Sequence, residues 1–107
     1  MAAQDARSPS IAEMQARVGE ASDFLKKLCN PQRLMLVCSL VEGERSVREL
    51  EDLLGIRQPA LSQQLAELRE AGLIAGRREG RIVHYRLADP RVTRFVTTMH
   101  ELFCEDR

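Results

Sequence analysis

A chain of 107 residues suffices for one domain, and its 44% apolar content, with three Phe, one Tyr and no Trp, points to a core of Leu, Val, Ile and Met. No run of ~18 apolar residues is present, which excludes a membrane-spanning helix, and the polar opening lacks the apolar stretch of a signal peptide. Net charge is zero, but Gly55–Arg86 holds six Arg against three Glu while Pro31–Leu54 holds three Arg against five acids, so one region is basic in a neutral molecule.

A cytoplasmic protein is expected. Its three cysteines then serve as redox-active, metal-binding or buried groups rather than as a disulfide framework.

Residues 1–9 are expected to form a disordered tail, and residues 10–107 the folded domain. Ser10-Ile-Ala-Glu13 reads as a capping box opening a first helix. Ile11, Met14, Val18, Ala21, Leu25 and Leu28 follow at spacings of three and four, a seam along one side. Pro31 disfavours helical geometry at Asn30, so the helix ends there and Asn30 caps a second one. Leu34, Val37, Cys38 and Val41 form its stripe, and Gly43 closes it. Ser46 and Glu49 make a capping box for a third helix, Val47 to Leu54, with Val47, Leu50, Leu53 and Leu54 apolar and Gly55 as breaker. Pro59 marks the first turn of a fourth helix ending near Ala71, with Leu61, Leu65 and Leu68 inward and Gly72 as its cap. Helix, Gly-containing turn, helix is the helix-turn-helix pattern.

After Gly72 the period changes. Val83, Tyr85 and Leu87 alternate with His84 and Arg86, as in a half-buried strand. Glu79-Gly80 supplies a tight turn to a partner strand near Leu73–Arg78, giving a two-stranded wing. Asp89-Pro90 opens a last helix with Val92, Phe95, Val96, Met99, Leu102 and Phe103 on its apolar side. The fold expected is mainly α with a β-wing: a winged helix-turn-helix ordered α-α-α-α-β-β-α.

The fourth helix leaves Gln58, Ser62, Gln63, Gln64 and Arg69 outside its leucine stripe. Gln pairs bidentately with adenine, Ser bonds bases or phosphates, and a helix with short polar residues near its N-terminus suits the major groove. Arg77, Arg78, Arg81 and Arg86 flank the wing, where they can hold phosphates or enter the minor groove. Helix, turn and basic hairpin together point to double-stranded DNA as the partner. No nucleophile–base constellation, phosphate loop or carboxylate pair points to an enzyme.

Ser46-Val-Arg-Glu-Leu50, Leu61-Ser-Gln-Gln-Leu-Ala-Glu-Leu-Arg-Glu-Ala-Gly-Leu73 and Arg77-Arg-Glu-Gly-Arg-Ile-Val-His-Tyr-Arg-Leu87 resemble the ArsR/SmtB repressors, from about Leu25 to Cys104. The resemblance implies a homodimer held by the first and last helices. It also implies repression at an inverted-repeat operator, relieved by an inducer. Many such repressors sense metals. The third helix here has no cysteine cluster, Arg91 follows Asp89 where a ligating His is needed, and His100 is out of register, so no metal site and no cofactor are expected.

The thiols remain. Cys38 shares the second helix's stripe and fits a buried hydrophobe. At ~100° per residue Cys104 falls about 120° from Val92, at the flank of the last helix's stripe, and His100 one turn before it either stabilises a thiolate or is an ordinary exposed helix residue. Leu34-Met-Leu-Val-Cys-Ser-Leu40 and Glu101-Leu-Phe-Cys104 resemble the dithiol sensors of the BigR/SqrR type and the related HlyU. That resemblance implies that reactive sulfur species or oxidants bridge Cys38 and Cys104 and release the operator. Cys29, at the junction of the first two helices, is a bystander or a competing thiol. Three alternatives stay open: a metal sensor using Cys38, Cys104, His100 and Cys29, a constitutive DNA-binding module, and a HlyU-like activator that displaces another repressor.

Overall fold

A computed structural model describes residues 10–104; the tail expected over 1–9 lies outside them. Five helices and three strands follow in the order α1 (Ile11–Leu28), α2 (Pro31–Leu40), β1 (Arg45–Ser46), α3 (Val47–Leu54), α4 (Ala60–Glu70), β2 (Ile74–Glu79), β3 (Ile82–Leu87), α5 (Pro90–Phe103). The winged helix-turn-helix is the fold observed. None of these helices is long and apolar enough to cross a membrane.

Local chemistry sets most boundaries. Asn30 Oδ1 accepts from the N–H groups of Gln32 (2.8 Å) and Arg33 (3.2 Å), leaving Pro31 in the first turn where it has no N–H to strand. The Ser46–Glu49 capping box is complete in both directions, at 3.1 and 2.7 Å. The box expected at Ser10 is one-sided: its hydroxyl accepts from Glu13 N–H at 3.3 Å, with no return bond from the Glu13 side chain among the described residues. Gly55 and Gly72 end α3 and α4 with φ of +70° and +78°, a region glycine enters without a Cβ clash. Pro59 stands just before α4, not inside its first turn.

The sheet differs from the two-stranded wing expected. It has three strands in the order β1-β3-β2, all antiparallel, with Arg45 opposite Tyr85 and Ser46 opposite His84. The hairpin pairs Ile74 with Leu87 through Glu79 with Ile82, so the turn is Gly80-Arg81, one residue later than expected. Gly80 has φ +65° and Arg81 does not share the positive sign, as a II′ turn requires. At Gly76 a Cβ would stand 3.2 Å from the Tyr85 ring and 3.3 Å from Val83. The small residue lets Tyr85 lie across β2 and stay buried.

Leu36, Val37 and Leu40 of α2, Leu50 of α3, and Leu61, Leu65 and Leu68 of α4 meet Ile74, Tyr85, Val92 and Val96 in one core. Two stripes read from sequence go elsewhere. On α2, Val37 joins Leu36 and Leu40 in the core. Leu34 and Cys38 are only partly buried and Val41 is exposed, because this helix is apolar on two sides. On α1, Ile11, Met14, Val18 and Leu25 are exposed, and only Leu28 is buried. Its tie to α5 is made instead by Phe24, edge-on to Phe95 at 5.9 Å, and by Arg91. The Arg91 guanidinium lies 5.1 Å above the Phe24 ring and bonds Asp89 at 2.8 Å and Glu20 at 3.1 Å.

Candidate nucleic-acid interface and thiol cleft

The core leucines of α4 face α2 and β2, which turns the opposite side outward. Gln58, Ser62, Gln63 and Arg69 are all exposed there. Gln58 Oε1 accepts from both the backbone N–H (3.0 Å) and the hydroxyl (2.7 Å) of Ser62. The side chain of Gln58 thus substitutes for the missing cap at Pro59 and fixes two polar groups at the helix start. Gln64 departs from its expected outward role. It is half-buried, and its Nε2–H donates to Gln32 Oε1 at 2.6 Å, so it joins α4 to α2. The Arg33–Glu67 ion pair, one turn along, makes a second tie between the same helices.

On the wing, Arg77, Arg78, Arg81 and Arg86 are exposed, but not equivalent. Arg77 donates from Nη2 (2.8 Å) and Nε (3.2 Å) to Glu44 and stands 3.5 Å from Glu79. Its guanidinium holds the Glu44 carboxyl below the usual carboxylate range, and Glu44 raises Arg77 in return. Arg77 is therefore neutralised within the protein, whereas Arg78 and Arg81 make no ion pair among the described residues. His84 stands 3.5 Å from Glu79 beside this cluster. Glu44 was invisible to sequence reasoning: it belongs to the loop before β1, 33 residues from its partner.

The second feature is an apolar cleft of about 590 Å³ between α2 and α5. Leu34, Met35, Val41, Val96, Met99 and Phe103 supply most of its walls, with Glu42, Thr97 and His100 as the polar side chains besides the thiols. Cys38 and Cys104 both line it, Cys38 half-buried and Cys104 exposed at the rim as the C-cap of α5. Burial pushes the Cys38 thiol up from its ordinary value, and nearby Cys104 adds to the rise. Cys29 is exposed at the end of α1 and is not among the residues lining the cleft. No cluster of three or more His, Cys, Asp or Glu fit to hold a metal occurs among the described residues. Asp89 is occupied as the α5 cap, accepting from Arg91 N–H at 2.9 Å and pairing with its guanidinium, which lowers its carboxyl.

This architecture has close counterparts. The biofilm growth-associated repressor of Agrobacterium fabrum is 50% identical over 94 residues, covering 88% of this chain and 80% of that protein. A family model described as bacterial regulatory protein, arsR family, matches residues 30–75. The chain belongs to the arsR family. The crystal structure of the transcriptional repressor BigR from Xylella fastidiosa superposes with a TM-score of 0.87 at 45% identity, covering 92% of this chain and 100% of that one. The transcriptional activator HlyU of Vibrio cholerae is 38% identical over 96 residues, 90% of this chain and 89% of that protein. This arsR-family member is a DNA-binding transcriptional repressor. The matched segment, 30–75, spans α2 through the first residues of β2 and so contains the whole helix-turn-helix.

Proposed function

We propose that this repressor binds an inverted-repeat operator as a homodimer and lets go when sulfane sulfur or an oxidant bridges Cys38 to Cys104. The observation that carries the reading is that the two thiols, one from α2 and one from the end of α5, line a single cleft. Dimerisation is supported by the apolar surface the single chain leaves in water. Ile11 is 73% and Phe103 78% exposed, and Met14, Val18, Leu25 and Leu102 lie open on the same two helices. A second copy on that surface would give the assembly two α4 helices, which an inverted repeat requires about 34 Å apart.

The chemistry needs no metal. The Cys104 thiolate takes the terminal sulfur of a hydropersulfide RSSH, releasing RSH and leaving a Cys104 persulfide. Cys38 then attacks the inner sulfur and displaces hydrosulfide, forming a disulfide. A longer polysulfide donor leaves additional sulfur atoms in the bridge. Cys104 acts first because it is the accessible thiol. Cys38 is half-buried, and burial pushes its thiol up, so it forms its thiolate less readily and is the resolving group.

The test is peptide mapping of native protein after polysulfide or peroxide, paired with binding to its own promoter DNA. The expected result is a Cys38–Cys104 bridge and loss of DNA binding, with Cys38→Ser and Cys104→Ser variants that still bind DNA but ignore both reagents. Normal release by both variants would overturn the reading.

A further inference from the structure

The cleft is far larger than two thiols and a few sulfur atoms require. Its 590 Å³ lies in the range of small-molecule sites. Among the described residues its walls carry no Lys or Arg, and the one carboxylate is the exposed Glu42, which pairs with Arg45 at 3.0 Å. An anionic donor such as an acidic peptide persulfide would find no Lys or Arg on these walls, and the nearby Arg45 is already engaged by Glu42. An uncharged apolar chain would be received by Leu34, Met35, Val96 and Met99.

We propose that the cleft selects uncharged organic polysulfides with apolar substituents as the donors that bridge Cys38 and Cys104. The inference rests on the dithiol reading above and names its substrate class. The reaction balances without a further oxidant. The Cys104 thiolate attacks the central sulfur of R–S–S–S–R, forming a Cys104–S–S–S–R adduct and expelling RS⁻. The adduct's R group occupies the cleft, which brings the same central sulfur to Cys38. The Cys38 thiolate attacks it and expels the second RS⁻, leaving Cys104–S–S–S–Cys38. The two thiol protons leave on two RSH molecules.

The experiment compares dimethyl, dipropyl and glutathione trisulfides on the reduced full chain. Formation of the sulfur-bridged species is followed by intact mass and located by peptide mapping. Each rate is divided by that donor's rate with the urea-unfolded protein, which removes intrinsic reactivity. Each methylene buried multiplies occupancy by about four, so two propyl methylenes entering the cleft give about a fifteenfold advantage over dimethyl trisulfide. Glutathione trisulfide is expected to be slowest. Met35→Lys, at a wall position that is 51% exposed and so tolerant of change, should shrink the dipropyl advantage and favour the glutathione donor. Equal normalised rates, or a faster glutathione donor, overturn the selectivity while leaving the dithiol switch in place. Absence of a Cys38–Cys104 bridge with every donor, inorganic polysulfide included, overturns both.

Discussion

Replacing Arg81 by alanine removes one cation from the tip of each wing, since Gly80-Arg81 is the turn of the hairpin. In a dimer that is two phosphate contacts. Each contact contributes about 0.9 to the slope of log K against log salt, so the slope should flatten by about 1.8. Between 50 and 200 mM salt the wild type should therefore lose about twelvefold more affinity than the variant. Arg77→Ala is the internal control. Its guanidinium is already spent on Glu44 at 2.8 Å, so its removal should barely change the slope. Glu44→Gln should steepen it by freeing Arg77 for phosphate. Fluorescence anisotropy with a nonspecific 30-base-pair duplex over a salt series measures all three, and needs no knowledge of the operator. Equal slope losses for Arg77→Ala and Arg81→Ala would refute the argument that the Glu44 pair takes Arg77 out of the DNA-facing charge.

Other expectations follow from burial and charge. Leu68 is fully buried between α4 and the rest of the core, so Leu68→Ala should cost about 2–5 kcal/mol in urea unfolding, with an unchanged m-value if the fold survives. A loss below 1 kcal/mol would mean the site collapses around the cavity. Val18→Glu puts a charge on the exposed seam of α1 and should convert dimer to monomer in analytical ultracentrifugation, with DNA affinity falling in parallel; an unchanged dimer would place the interface elsewhere. Asp89 has its carboxyl lowered by Arg91, so its contribution is present above the ordinary aspartate value and is lost as pH falls through the lower folded value. Asp89→Asn should accordingly flatten the fall in Tm below about pH 4 and leave the neutral-to-basic side parallel to wild type.

What was legible in the sequence was what neighbours decide. Asn30-Pro31, Ser46 with Glu49, Gly55 and Gly72 each act within one turn, and each boundary lies where its residue type demands. The strand β1 could not be read, because two residues carry no alternation and exist as a strand only through pairing with His84 and Tyr85. Gln64 looked like a base-reading side chain because its spacing leaves it off the leucine stripe. Its bond to Gln32 depends on how α2 packs, which no local pattern records. The seam on α1 was legible as apolar but not as exposed, since periodicity gives a face and not what covers it. Cys38 and Cys104 were paired through resemblance. Their placement on one cleft comes from α2 packing against α5, a long-range fact.

For the proposed dithiol switch, the helix that joins the two sites would supply a mechanical route. At its N-terminal end, α2 is tied to α4 by Gln32–Gln64 and Arg33–Glu67. Less than two turns later it carries Cys38 into the cleft shared with α5. At 1.5 Å per residue the path from Gln32 to Cys38 is about 9 Å, short enough for a helix to move as a rigid unit. A bridge that draws Cys38 toward Cys104 must then either shift α5, with the dimer face it carries, or tilt α2 and drag α4 with it. In the proposed dimer both would alter the spacing between the two α4 helices, which half-sites on a stiff duplex constrain. Loosening the α2–α4 tie separates the routes. In Gln64→Ala, with Arg33–Glu67 left in place, the tilt is transmitted less completely. If tilting dominates, the bridged variant should retain more operator affinity than bridged wild type. If α5 carries the signal, the two bridged proteins should release DNA equally, and the reduced forms should differ only by what the lost bond costs in stability.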